Sequence, residues 1–116
     1  MTKGLFLNFS IEGAAFEESA PATGRLVSGS PRFRNWEIDA QAGGLFAGVW
    51  EGTPGKWRVN YSEWEYFRLL SGVSIVTPDG APPRRLVAGD SMIIRPGFEG
   101  TWEVVETTRK EYVIRI

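Results

Sequence analysis

From Leu45 onward, apolar and polar residues alternate in short runs separated by turn signals at regular intervals. That spacing predicts a β-sandwich or barrel. The runs are Leu45–Glu51, Lys56–Tyr61, Glu65–Leu70, Val73–Thr77, Arg84–Val87, Ser91–Ile94, Thr101–Glu106 and Lys110–Ile116. Between them stand Pro54-Gly55, Pro78-Asp79-Gly80, Gly89-Asp90 and Pro96-Gly97, turn pairs in which proline presets φ and glycine admits a positive one. No window carries the period of a long amphipathic helix. Earlier in the chain the pattern is irregular. Leu5, Leu7 and Phe9 alternate over one short predicted strand, while Ala20–Gly24 and Ser28–Pro31 read as loop. The pattern therefore predicts an all-β chain, with an N-terminal arm over residues 1–35 that offers an edge strand and a sandwich or barrel over residues 36–116.

Trp50, Trp57 and Trp64 recur every seven residues, but Gly52, Pro54 and Gly55 interrupt any helix there. Five tryptophans in 116 residues instead suit the filling and rim of a barrel. A stacking platform for nucleic acid would need a basic groove, and the net charge is −1, so no nucleic-acid partner is expected. The first residues carry one lysine and a broken apolar run, and no later stretch approaches a membrane span. No membrane partner and a cytoplasmic location are the expectations. Asn8-Phe9-Ser10 and Asn60-Tyr61-Ser62 then read as chance matches to a glycosylation acceptor.

Two absences narrow the chemistry. Without cysteine there is no disulfide, thiolate metal site or cysteine nucleophile. Without histidine there is no imidazole-based metal site and no Ser-His-Asp triad.

The segment from Gly52 through Arg58, Asn60 and Glu65 to Gly72 keeps the spacing of the first cupin motif, with Arg58 and Asn60 at its two histidine positions and Glu65 at its glutamate. Gly89-Asp90 through Pro96-Gly97 to Gly100 resembles the second motif, with the proline displaced by one position and Gly100 where a histidine belongs. The runs Gly97-Phe98-Glu99-Gly100-Thr101-Trp102-Glu103 and Arg109-Lys110-Glu111-Tyr112 are similar to a small cupin subgroup. It includes domains resembling (S)-ureidoglycine aminohydrolase and the ethanolamine-utilisation protein Q. The likeness covers roughly residue 36 to the end and implies a single cupin jelly-roll barrel. It implies little about activity, because one fold hosts many functions.

In metal-bearing cupins the motif residues point into the barrel mouth. Here only Glu65 keeps a usual ligand type, arginine has no lone pair to donate, and Gly100 has no side chain, so no metal and no cofactor are expected. The motif alignment places Arg58, Asn60, Glu65, Phe67 and Leu69 inward, since residues two apart share a strand face. Lys110, Tyr112 and Ile114 share a face of the last strand, also taken as inward, and Trp102 is expected to line the same cavity. The bland account pairs Arg58 or Lys110 with Glu65, because a buried charge needs a partner. The functional account leaves a cationic slot for a small carboxylate or polar metabolite.

The leading expectation is a protein that binds a small polar or anionic molecule in the barrel mouth through Arg58, Asn60, Glu65, Phe67, Trp102, Lys110 and Tyr112. One alternative is an enzyme acting on a ureido or carbonyl compound through Glu65, Lys110 and Tyr112, with Lys110 as a base or imine-forming amine. Another is a structural or regulatory dimer with a vestigial pocket. A homodimer is expected in any case, from pairing of edge strands. Glu63 and Glu65 also suggest an acid–base pair or an oxygen site for a hard cation, but Glu63 reads first as a solvated turn residue. Pro82-Pro83-Arg84-Arg85 reads as an exposed loop entering an edge strand.

Overall fold

The computed structural model describes residues 4–116. Its strands are β1 (Glu17–Ser19), β2 (Leu26–Gly29), β3 (Phe33–Gln41), β4 (Leu45–Gly52), β5 (Gly55–Asn60), β6 (Trp64–Pro78), β7 (Arg84–Val87), β8 (Ser91–Ile94) and β9 (Glu99–Arg115). One turn of 3-10 helix, Thr23–Arg25, separates β1 from β2. Every strand pairing is antiparallel. The fold is an all-β barrel, within the sandwich-or-barrel class that the alternation predicts.

Two long strands build it. β6 and β9 pair from Trp64↔Arg115 to Pro78↔Gly100, and the register slips three times between Leu69 and Ser74. Each strand bends there, so each serves two walls. The first half of β6 and the second half of β9 carry β8 on one side and β4, β3 and β1 on the other. The remaining halves carry β7 on one side and β5 and β2 on the other. Gly72 sits at the bend with φ +88°, and a Cβ there would lie 2.1 Å from the Thr107 carbonyl oxygen. Only glycine allows the two strands to fold this closely.

The walls close on each other through Phe67, Leu69 and Tyr112 on one side and Trp57, Val76, Trp102 and Val104 on the other. At the closed end a buried polar chain is fully satisfied. The Trp102 indole N–H donates to Ser74 Oγ at 3.1 Å, and Thr108 Oγ1 donates to the Glu106 carbonyl at 2.9 Å. With the Thr108 proton so engaged, Ser74 donates in the 2.7 Å contact between the two hydroxyls.

The short strand expected at Leu5, Leu7 and Phe9 does not form. Alternation alone cannot make a strand without a neighbouring backbone, and pairing begins only at Glu17↔Asn35. Leu5 and Phe6 are 86% and 101% exposed. The rest of the region before residue 36 supplies β1 and β2, and β3 runs across the boundary drawn between arm and barrel. Phe16 anchors the arm on the outer face, its ring 5.4 Å from that of Trp36. The Arg109 guanidinium lies over the same indole at 5.0 Å and pairs with Glu51 at 2.9 Å. Among the described residues no helix is long and apolar enough to cross a membrane.

Candidate functional site

Glu65, Phe67 and Leu69 face the barrel interior from β6, and Trp102, Lys110 and Tyr112 face it from β9. Lys110 Nζ stands 2.8 Å from Glu65 Oε2, with side chains only 9% and 2% exposed. The ammonium also lies 4.5, 4.7 and 5.1 Å from the ring centres of Trp102, Phe67 and Trp50. These are cation–π distances, so the charge is held by three rings and one carboxylate. Glu65 Oε1 accepts a 2.7 Å hydrogen bond from the Tyr61 hydroxyl. Oε2 is buried and has no hydrogen-bond donor, because its contact with Lys110 is close enough for an ion pair but falls outside hydrogen-bond alignment.

Tyr61 was not singled out by its sequence, although four residues across a tight turn separate it from Glu65. Burial first, then the neighbouring Glu65 carboxylate, hold its phenol well above the usual range. It therefore remains a proton donor to Glu65 at neutral pH.

Arg58 and Asn60 do not point inward, contrary to the motif alignment. On β5 it is Trp57 and Val59 that pack on the core, because Trp57 pairs with Trp102 and Val59 with Gly100. A shift of one residue in phase moves every side chain to the other face. Arg58 instead makes a bidentate contact with Asp79 on the surface, at 2.7 and 2.6 Å. Those hydrogen bonds raise the Arg58 pKa and lower that of Asp79. Asn60 is exposed at the end of the strand.

Tyr112 belongs to the interior, but its hydroxyl turns away from the ion pair. It donates to Asn35 Oδ1 at 2.7 Å, crossing above Gly48, where a Cβ would meet the tyrosine oxygen at 2.7 Å. Burial raises its pKa and the Asn35 bond opposes that rise. Tyr112 therefore does not join Glu65 and Lys110 as a third polar group.

The residues present do not fit a cupin metal centre. The Lys110 ammonium occupies the position against Glu65 Oε2 that a cation would need. Gly100 has no room for a ligand side chain, since a Cβ would lie 2.2 Å from the Thr77 carbonyl oxygen. Among the described residues no three acidic side chains cluster as a ligand set, and Glu63 Oε1 accepts a hydrogen bond from the Ser62 N–H at 3.0 Å.

One cavity reaches the ion pair at Lys110, and another reaches Phe67. The smaller, about 110 Å³, is lined by Lys110, Tyr61, Trp50, Trp57, Trp102, Phe33 and Val59. The larger, about 490 Å³, opens where β7 and β8 diverge, one on each wall. Its walls include Phe67, Val76, Leu86, Met92, Ile94 and Phe98, and Arg84 and Arg95 also line it. Arg84 begins β7 and Arg95 follows β8, so both stand at the end away from the bend. Neither forms an ion pair among the described residues.

Comparison with known proteins follows the same outline. The family model for the EutQ-like cupin domain matches residues 40–112. A Pseudomonas syringae protein of the DUF861 family superposes with a TM-score of 0.79 at 22% identity over 87% of this chain, which spans 44% of that longer protein. The Clostridium difficile EutQ protein gives a TM-score of 0.66 at 18% identity, covering 84% of this chain and 79% of its own. A Salmonella typhimurium protein described as a putative ethanolamine utilization protein Q gives 0.65 at 14% identity, covering 88% and 94%. At these identities the structural matches establish the fold alone. No curated protein matches the chain.

Proposed function

This chain belongs to the EutQ-like cupin domain family, and from the cleft between its two walls we infer that it binds small organic anions without a transition metal in the barrel. The observation that carries this reading is the 490 Å³ cleft itself, apolar along its walls and lined by two arginines that have no acidic partner among the described residues. Ligand cavities of this size are commonly apolar with a few polar groups that fix orientation. A carboxylate with an apolar body suits that combination. The two cations favoured from sequence are already committed, Arg58 to Asp79 and Lys110 to Glu65. A cation paired with a carboxylate adds little net field to a slot, so Arg84 and Arg95 take over that role.

Titration with octanoate, followed by backbone amide NMR, tests the reading. Shifts are expected to centre on β7, β8 and Phe98, and 1-octanol is expected to bind more weakly. Arg84→Met and Arg95→Met together are expected to weaken octanoate about tenfold or more, since hydrogen bonds to charged groups contribute about 1.5–3 kcal/mol each. Both arginines are exposed, so the fold is expected to survive the change. Equal affinity for octanoate and octanol would remove anion recognition; no shifts with either would remove the site.

The homodimer belongs to the same reading. The nearly bare Leu5 and Phe6 of the arm are apolar surface that a second copy would cover. Sedimentation equilibrium is expected to return twice the chain mass. A mass of one chain at micromolar concentration would sink the dimer.

A further inference from the structure

The smaller cavity brings together groups that the anion cleft does not use. Lys110 lines it, and Glu65 Oε2, buried and without a hydrogen-bond donor, lies 2.8 Å from that amine. Tyr61 also lines the space and holds the other carboxylate oxygen at 2.7 Å. The remaining walls are mostly aromatic. Such a pocket sets an amine beside a proton acceptor among largely aromatic walls, two of the parts a lysine needs to add to a carbonyl.

We propose that Lys110 forms a reversible imine with small aliphatic aldehydes that enter this cavity, with Glu65 carrying the proton. Glu65 takes a proton from the ammonium, and the freed amine attacks the carbonyl carbon, forming the C–N bond as the C=O electron pair moves to oxygen. The oxygen gains a proton from the nitrogen, giving a neutral carbinolamine. Glu65 then protonates the hydroxyl, the C–O bond breaks, and water leaves. The balance is one ammonium and one aldehyde giving one protonated imine and one water, with Glu65 again a carboxylate. No oxidant or reductant takes part.

Size sets the substrate class. A space of about 110 Å³ corresponds to about three or four water volumes, taking about 30 Å³ for each. Formaldehyde and propanal fit within such a space. The aromatic walls favour an alkyl group over a second charge, which separates this class from the anions of the larger cleft. The inference rests on the ion pair and its cavity, and stands whether or not the cleft binds octanoate.

The test is reductive trapping on the native protein. The chain is treated with propanal and sodium cyanoborohydride, and propyl adducts are located by peptide mass mapping. Lys56, on β5 and partly exposed, serves as the internal reference amine. Lys110 is expected to be labelled on the order of a hundredfold faster than Lys56, the size of an ordinary acid–base contribution. Propanal labelling of Lys110 no faster than Lys56 would overturn the proposal.

Discussion

Lys110→Met is expected to cost the fold about 3–5 kcal/mol, the range for a buried ion pair that loses one partner. Methionine is close in length to lysine and can fill the space among Trp50, Phe67 and Trp102, so packing is largely kept. What is lost is the cation. Glu65, whose side chain is 2% exposed, then keeps only the Tyr61 bond to offset the cost of burying its charge. The double variant Glu65→Leu with Lys110→Met separates charge from packing. It is expected to recover most of the loss, because replacing both members of a buried pair by apolar groups is often neutral or stabilising. Urea unfolding of the three proteins gives the comparison, provided their slopes agree. A double variant as unstable as the single one would show that packing around Lys110, and not the orphaned carboxylate, sets the cost.

The ion pair also shows which parts of the site could be read from the chain. On β6 and β9 Glu65, Phe67, Leu69, Lys110 and Tyr112 face inward, as the motif alignment and the face chosen for the last strand expected. On β5 the local pattern and the motif pointed in opposite directions. Trp57-Arg58-Val59-Asn60 alternates apolar and polar, and that pattern alone turns Trp57 and Val59 inward, as observed. The family spacing had assigned the inward positions to Arg58 and Asn60. Once the histidines are gone, nothing holds those positions to the mouth, and the physical pattern was the better guide.

Other features depend on distances along the chain that no local pattern carries. The Tyr112 hydroxyl is drawn to Asn35, 77 residues away, through the gap left by Gly48. Arg84 and Arg95 look like ordinary loop and turn residues until β7 and β8 are assigned to different walls, which opens a cleft between them. Phe33–Gln41 was not read as a strand although Trp36, Ile38 and Ala40 alternate with Asn35, Glu37, Asp39 and Gln41, because that alternation changes phase at Arg34-Asn35. Phe33 and Trp36, on either side of that change, serve opposite faces, one against the core and one under Phe16.

Trp102→Ala is expected to be comparably damaging, again about 3–5 kcal/mol, as for other large aromatic truncations in cores. The residue is 2% exposed and touches every part of the interior argument. Its ring lies 5.3 Å from Phe67 and 5.9 Å from Trp50, centre to centre, and forms one wall of the Lys110 cage at 4.5 Å. Its N–H feeds the Ser74–Thr108 chain at the closed end. Trp102→Phe sorts these contributions. It keeps an aromatic face for Lys110 and much of the volume, but removes the donor to Ser74, so a smaller loss of about 1–2 kcal/mol is expected from one hydrogen bond and a few missing atoms. Chemical denaturation followed by circular dichroism measures both without relying on tryptophan emission. If Trp102→Phe is as destabilising as Trp102→Ala, the hydrogen-bonded chain at the bend, and not the aromatic cage around the ammonium, is what fastens the two walls together.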